Sequence, residues 1–109
     1  LSNGPLTPPW GKTRALCEAL SGWLDASDAG LDPVVAALRR EAPAPPPSWQ
    51  DGEPEPRLAP VFIRDPAYGT RCSTIIAIAA DGAGTIVERS HDGEGEPAGE
   101  ARFAFSWPV

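Results

Sequence analysis

The stretch from Thr70 to Ala80 constrains the fold more than any other part of this sequence. From Val61 onward the pattern has a period of two, which predicts a strand over Thr70–Ala80, and its second half, Ile75–Ala80, is apolar at every position. A strand that is apolar on both faces is typical of a sheet covered on both sides. The polar cluster that opens it, with Arg71 and Cys72, is unusual for a core strand and indicates the wall of a site.

Two more strands complete the predicted sheet. A turn at Asp81–Gly84 leads into a strand over Thr85–His91, and a loop over Asp92–Gly99 leads into a third strand over Glu100–Trp107. Helices come first in the chain and an antiparallel meander follows, so the predicted class is α+β.

Two helices are predicted before the sheet. The spacing of apolar residues predicts an amphipathic helix over Thr13–Ala26, with Cys17 beside its buried stripe as a packing residue. Asp32 and Pro33 predict the start of a second helix, with Asp32 as the capping carboxylate. The chain then divides into an extended start plus two helices (1–41), a proline-rich connector (42–60) with Trp49 as its anchor, and antiparallel strands (61–109).

Composition excludes several classes of function. The 109 residues contain 9 Lys and Arg against 15 Asp and Glu, for a net charge of −6, and the basic residues are scattered, so a nucleic-acid partner is not expected. No apolar run approaches a membrane span. With two cysteines and one histidine, neither a metal site nor a cofactor is expected. Reduced thiols favour a cytoplasmic location.

The chain has the character of a part of a larger fold. It contains no methionine and begins with Leu1-Ser2-Asn3. Three strands and two helices are too few to cover a doubly apolar strand from both sides. We therefore expect a missing N-terminal half or a companion chain, and we expect 1–109 to be either one domain or the C-terminal half of one.

Several separated blocks of sequence resemble one family. The blocks are Leu1-Ser2-Asn3-Gly4-Pro5-Leu6 with Pro9-Trp10-Gly11-Lys12, Tyr68-Gly69-Thr70-Arg71-Cys72-Ser73-Thr74, Glu88-Arg89-Ser90 and Phe103-Ala104-Phe105. In order and spacing they resemble the C-terminal portion of the NRDE family, which includes the transport-and-Golgi-organisation protein 2 group. Cys72, His91 and Gly11 depart from that pattern.

The resemblance implies an N-terminal-nucleophile (Ntn) hydrolase fold, a four-layer αββα sandwich. In such enzymes a cysteine freed at the N-terminus attacks an amide carbonyl and its own α-amino group acts as the base. Neither that cysteine nor the Asn-Arg-Asp-Glu motif behind it is in this sequence. We therefore expect this chain alone to be inactive, and the complete protein, bacterial by its Ala, Pro, Gly and Arg usage, to hydrolyse small linear amides.

The resemblance also supplies candidate site residues. Asn3 resembles an oxyanion donor and Arg71 resembles the arginine beside the thiol, so both are assigned catalytic roles, with Tyr68, Thr70 and Ser73 assigned to substrate binding. Each catalytic assignment has a structural alternative. Asn3 before Gly-Pro commonly forms an Asx turn, and Arg71 is suited to pair with the acidic residues of the Asp92–Glu100 loop.

A Cys–His pair is a second candidate for chemistry. If the turn pairs Ala80 with Thr85, then Thr74 lies opposite His91 and Cys72 becomes the diagonal neighbour of His91 on the same face. A thiol beside an imidazole is the minimum for a cysteine nucleophile. The alternative is that Cys72 is a small core residue.

Two further functions stay open. One is a non-catalytic carrier that handles haem or lipid. The other is a small stand-alone domain that forms a homodimer through its exposed sheet. An exposed N-terminal cysteine in the mature protein is required for hydrolysis and not for carriage, so it separates the first hypothesis from the carrier.

Overall fold

The computed structural model describes residues 9–26, 30–42 and 60–109. Two α-helices precede three antiparallel strands, which confirms the predicted α+β class. The chain divides into two compact units, Leu1–Ile63 and Arg64–Val109. Asn3, Trp49 and nearly all of the predicted proline-rich connector lie outside the described residues.

The first helix, α1, spans Gly11–Asp25 and begins two residues earlier than predicted. Trp10 is its N-cap residue, and the Lys12 ammonium lies 4.9 Å from the centre of the Trp10 ring. The predicted stripe of apolar residues is only partly buried, because Leu20 and Leu24 are 42% and 74% exposed. Cys17 is also exposed, so its predicted packing role is wrong.

The second helix, α2, spans Asp32–Leu38 and buries Val34 and Ala37. Its N-cap is Leu31 and no side chain caps it, so the predicted capping role of Asp32 is wrong, and Asp32 lies in the first helical turn instead. A carboxylate there still complements the positive end of the helix dipole.

Phe62 is the buried anchor of this first unit. It is fully buried, its N–H donates to the Arg40 carbonyl, and the Arg39 guanidinium lies 4.9 Å from the centre of its ring. The Trp23 indole of α1 donates to the carbonyl of Gly30, just before α2, at 3.0 Å.

The three strands form one sheet in the order β1-β2-β3. They span Cys72–Ile78 (β1), Ala83–His91 (β2) and Pro97–Ser106 (β3). All three were predicted, but β1 is two residues shorter at each end and β3 begins three residues earlier. The pairing shifts between Ser90 and His91, which marks a bulge near the end of β2.

The turn between β1 and β2 sets the register of the sheet. The Ala79 N–H donates to the Ala83 carbonyl, the Asp81 carboxylate accepts from the Ala83 N–H, and Gly82 has a φ of 85°. A three-residue loop with glycine in the left-handed region is a standard hairpin connection. It places Thr74 opposite Glu88 instead of His91, so the predicted register was wrong by three residues.

This shift reverses the faces of β2 relative to β1, because an odd slip moves every side chain to the other side. One face now carries the buried residues Ile75, Val87 and His91. The opposite face, called here the apolar face, is largely exposed. It consists of Ile76, Ile78, Ile86, Phe103 and Phe105, with Gly84 among them.

Candidate functional site

A tight turn at Asp65 and Pro66 begins the candidate site. One oxygen of the Asp65 carboxylate accepts the N–H groups of Ala67 and Tyr68, at 2.7 and 2.9 Å. Aspartate commonly closes a turn in this way, and proline after it favours the required backbone angle. These two backbone hydrogen bonds lower the pKa of Asp65 below its usual 3.8, and the bond from Tyr68 has the larger effect. The charge of Arg71 lowers that pKa further.

The guanidinium of Arg71 is fixed to the main chain of the same turn. Its Nη2 donates to the carbonyls of Asp65 and Pro66, each at 3.0 Å. The carboxylate of Asp65 shapes the turn and the turn's carbonyls hold the arginine. In the part of the chain that the structure describes, Arg71 therefore binds carbonyl oxygens, and its Nε and Nη1 atoms make no hydrogen bond.

The acidic loop after β2 is bound by a different arginine. Arg64 Nη1 lies 2.8 Å from Glu96 Oε1 and also donates to the Glu94 carbonyl. The loop closes on itself because Asp92 Oδ1 accepts the N–H groups of Glu94 and Glu96. The structural partner proposed for Arg71 in this loop is therefore wrong, and Arg64 has that role.

Ser73 and His91 form the contact that the sequence did not predict. Ser73 Oγ lies 3.3 Å from His91 Nε2, and the imidazole belongs to a residue that is only 6% exposed. The backbone N–H of His91 donates to the Arg71 carbonyl at 2.8 Å, which joins the end of β2 to the start of β1. The histidine thus binds the serine, and the predicted contact with Cys72 is wrong.

The position of Cys72 follows from strand geometry. Successive side chains in a strand point to opposite faces, so Cys72 and Ser73 cannot both reach His91. Cys72 lies opposite Ser90 and is exposed. Its interpretation as a core residue is wrong as well.

The structure gathers some of the predicted site residues at the start of β1. The Arg71 carbonyl and the Ser73 hydroxyl both contact His91, and the N–H of Tyr68 is part of the turn that holds Arg71. The Tyr68 side chain is 77% exposed and Thr70 is half-buried. Asn3 lies outside the described residues, so its assignment stays a prediction.

Arg89 is the second guanidinium near this end of the sheet. It lies opposite Ser73 on β1 and opposite Glu100 on β3, and its Nε is 2.8 Å from a carboxylate oxygen of Glu100. The charge of Arg89 is therefore already paired with the Glu100 carboxylate. Arg71 is therefore the better candidate to bind a carbonyl or carboxylate oxygen of a ligand, since a guanidinium offers donors in a fixed fork.

The sequence model of the family described as Transport and Golgi organisation 2 matches residues 1–93. This chain belongs to that family. The human Transport and Golgi organization protein 2 homolog is 39% identical over 105 residues, and the bovine homolog is 37% identical over 105 residues. Each match covers 83% of this chain and 37% of the relative, so the chain spans little more than a third of the length of these relatives.

Membership of the family confirms the resemblance noted in the sequence.

No solved structure matches the chain. Neither of the two described helices is long and apolar enough to cross a membrane. Among residues 9–26, 30–42 and 60–109, no cluster of His, Cys, Asp and Glu side chains is suited to hold a metal ion.

Proposed function

We propose that this chain is the C-terminal portion of an Ntn-hydrolase-like amidase, in which its sheet is one layer of a four-layer αββα sandwich. The nucleophilic cysteine lies in the remainder of the protein, and this chain contributes a wall of the composite site. Arg71 and Asn3 act on the scissile amide, while Tyr68, Thr70 and Ser73 line the substrate.

The observation that carries this proposal is the anchoring of Arg71. One of its nitrogens is fixed by two carbonyls at 3.0 Å, and the Asp65 carboxylate organises the turn that supplies them. A guanidinium held in this way keeps its other donors in one orientation at little entropic cost. Such preorganised donors favour thiolate and stabilise negative charge that develops on a carbonyl oxygen.

The reaction is hydrolysis of an amide in two steps. The thiolate sulfur bonds to the amide carbon, the carbon–nitrogen bond breaks, and the amine leaves with a proton from the α-ammonium group. Water then adds to the thioester, releasing the carboxylic acid and restoring the thiol. In the first step Arg71 binds the carbonyl oxygen of the substrate as negative charge develops on that oxygen.

The test uses the full-length protein as its own cell makes it, assayed against a panel of short linear acyl amides. We expect amine release that requires a cysteine at the mature N-terminus, and we expect the Arg71→Ala variant to lose about tenfold or more in kcat/KM. Arg102→Ala is the matched control, because Arg102 is an exposed arginine of β3 that pairs with Glu100.

Two results would overturn the proposal. The first is activity that survives Arg71→Ala undiminished while the melting temperature is unchanged. The second is a mature protein without an N-terminal cysteine, which would leave a carrier or structural role.

A further inference from the structure

The apolar face of the sheet is unusually exposed for its composition. Ile76 and Phe103 are 63% and 64% exposed, and Ile78 is 46% exposed. Single exposed apolar side chains are ordinary, whereas a contiguous apolar patch on a sheet marks an interface.

The residues of this face are aligned across all three strands. Ile76 pairs with Ile86, and Ile86 pairs with Phe103, which gives one continuous apolar row. The next row is Ile78, Gly84 and Phe105. The ring of Phe105 lies over Gly84, since a Cβ built on that glycine would come within 2.4 Å of the ring. The ring therefore fills the space that the glycine leaves.

A polar pair on β1 and β2 bounds the face on one side. Thr74 lies opposite Glu88 and its hydroxyl donates to the Glu88 carboxylate at 3.2 Å. An apolar centre with a polar margin is the usual anatomy of a protein interface. Two such faces pack about 10 Å apart when sheets stack.

We propose that the remainder of the full-length protein covers this face, through an apolar surface that packs on Ile76, Ile86 and Phe103. The argument for this occupant is the length of the relatives: the match covers 37% of the human and bovine proteins, so most of each relative lies outside it. A covalently connected segment acts at an effective concentration in the millimolar range, which a second copy in dilute solution does not reach.

This inference rests on the part of the proposed function that places more of the protein beside this chain, and it does not depend on amide hydrolysis. Protection of the face without amidase activity would uphold the interface and reject the enzyme. Amidase activity with the face exposed would do the reverse.

The experiment is site-specific photo-cross-linking in the full-length protein as its own cell makes it. The Phe103→p-benzoylphenylalanine variant places an aromatic probe of similar shape on the face, and cross-linked peptides are then sequenced by mass spectrometry. The Leu24→p-benzoylphenylalanine variant is the control, because Leu24 is 74% exposed on α1, outside the apolar face. We expect the probe at position 103 to capture peptides outside the 109 residues.

A second measurement keeps the test independent of the unnatural residue. In the same protein, the thiol introduced by Ile76→Cys should react with maleimide at least tenfold more slowly than the thiol introduced by Leu24→Cys. Cross-links from position 103 only to peptides within the 109 residues, from the same chain or from a second copy, would overturn the proposal. Equal labelling rates at the two positions would overturn it in favour of an open face.

Discussion

Cys72 and Ser90 lie directly opposite each other in the β1–β2 pair. The neighbouring pair, Arg71 and His91, is joined by a backbone hydrogen bond of 2.8 Å. Pairs alternate along an antiparallel ladder, so Cys72 and Ser90 form a non-hydrogen-bonded pair with their Cα atoms about 4.5 Å apart. This spacing lies within the range of a disulfide, about 4.4–6.8 Å.

A Ser90→Cys variant should therefore form a disulfide with Cys72 on mild oxidation. The cross-link closes a loop of modest length and should raise the free energy of unfolding by up to about 3 kcal/mol. The measurement is peptide mapping without reduction, followed by urea unfolding of the oxidised and reduced forms.

The control for this cross-link is a Gly93→Cys variant. Position 93 would face Cys72 only if the turn paired Ala80 with Thr85. Efficient oxidation of Gly93→Cys, with none in Ser90→Cys, would show that the register of the sheet is wrong.

Gly82 should resist substitution. Its φ of 85° is strained for any residue with a side chain, and an added Cβ would come within 2.4 Å of the Trp107 carbonyl oxygen. We expect Gly82→Ala to lower the free energy of unfolding by about 1–3 kcal/mol. Gly93→Ala is the control, since nothing lies within 4 Å of its added Cβ, and it should change that free energy by less than about 0.5 kcal/mol. Equal effects on urea unfolding would contradict the turn geometry.

Gly84 and Phe105 should behave as a coupled pair. Gly84→Ala forces the Phe105 ring to move, because the added Cβ lies 2.4–2.7 Å from three of its carbons. We expect this variant to cost about 1–3 kcal/mol and to cost clearly less in a Phe105→Leu background, where the smaller side chain can yield. A double-mutant cycle measures the coupling, which should exceed about 0.5 kcal/mol.

The control cycle combines Gly84→Ala with Leu24→Ala, whose side chain lies on α1 in the other unit of the chain. Those two changes should add to within about 0.5 kcal/mol. Additivity in the Phe105 cycle as well would mean that the ring does not cover the glycine.

The order and type of the secondary-structure elements were predictable because local periodicity decides them. The register was not, because it depends on whether the hairpin closes at Ala79 and Ala83, as observed, or at Ala80 and Thr85, as predicted. Both closures suit an Asp-Gly sequence, and the structure has the shorter loop, with Gly82 in the left-handed region. Because of this difference in register, His91 contacts Ser73 and not Cys72.

The candidate site was predictable only in part. The resemblance to the family pointed to Arg71, and the sequence marked it as unusual at the start of a strand. Its binding to the carbonyls of Asp65 and Pro66 depends on a turn that side-chain patterns do not reveal. An Asp-Pro pair a few residues before an arginine was the signal available.

The last prediction concerns the pH dependence of this turn. The pKa of Asp65 is lower in the folded chain than its usual 3.8, chiefly because its carboxylate accepts the N–H groups of Tyr68 and Ala67. A carboxyl group with a lowered pKa stabilises the fold when ionised, so its contribution is complete above pH 3.8 and is lost as the pH falls through the folded pKa. An Asp65→Asn variant keeps an acceptor oxygen but not the charge.

The wild-type chain should therefore melt at a higher temperature than Asp65→Asn near neutral pH, and the difference should shrink as the pH falls below about 3.8. Thermal melts between pH 7 and pH 2.5 measure this. Arg71→Ala supplies the control, because removal of its charge should raise the pKa of Asp65 in an NMR titration while the two backbone bonds still hold it below 3.8. Melting curves of wild type and Asp65→Asn that stay parallel down to the lowest pH would mean that the carboxylate charge does not stabilise the turn that holds Arg71.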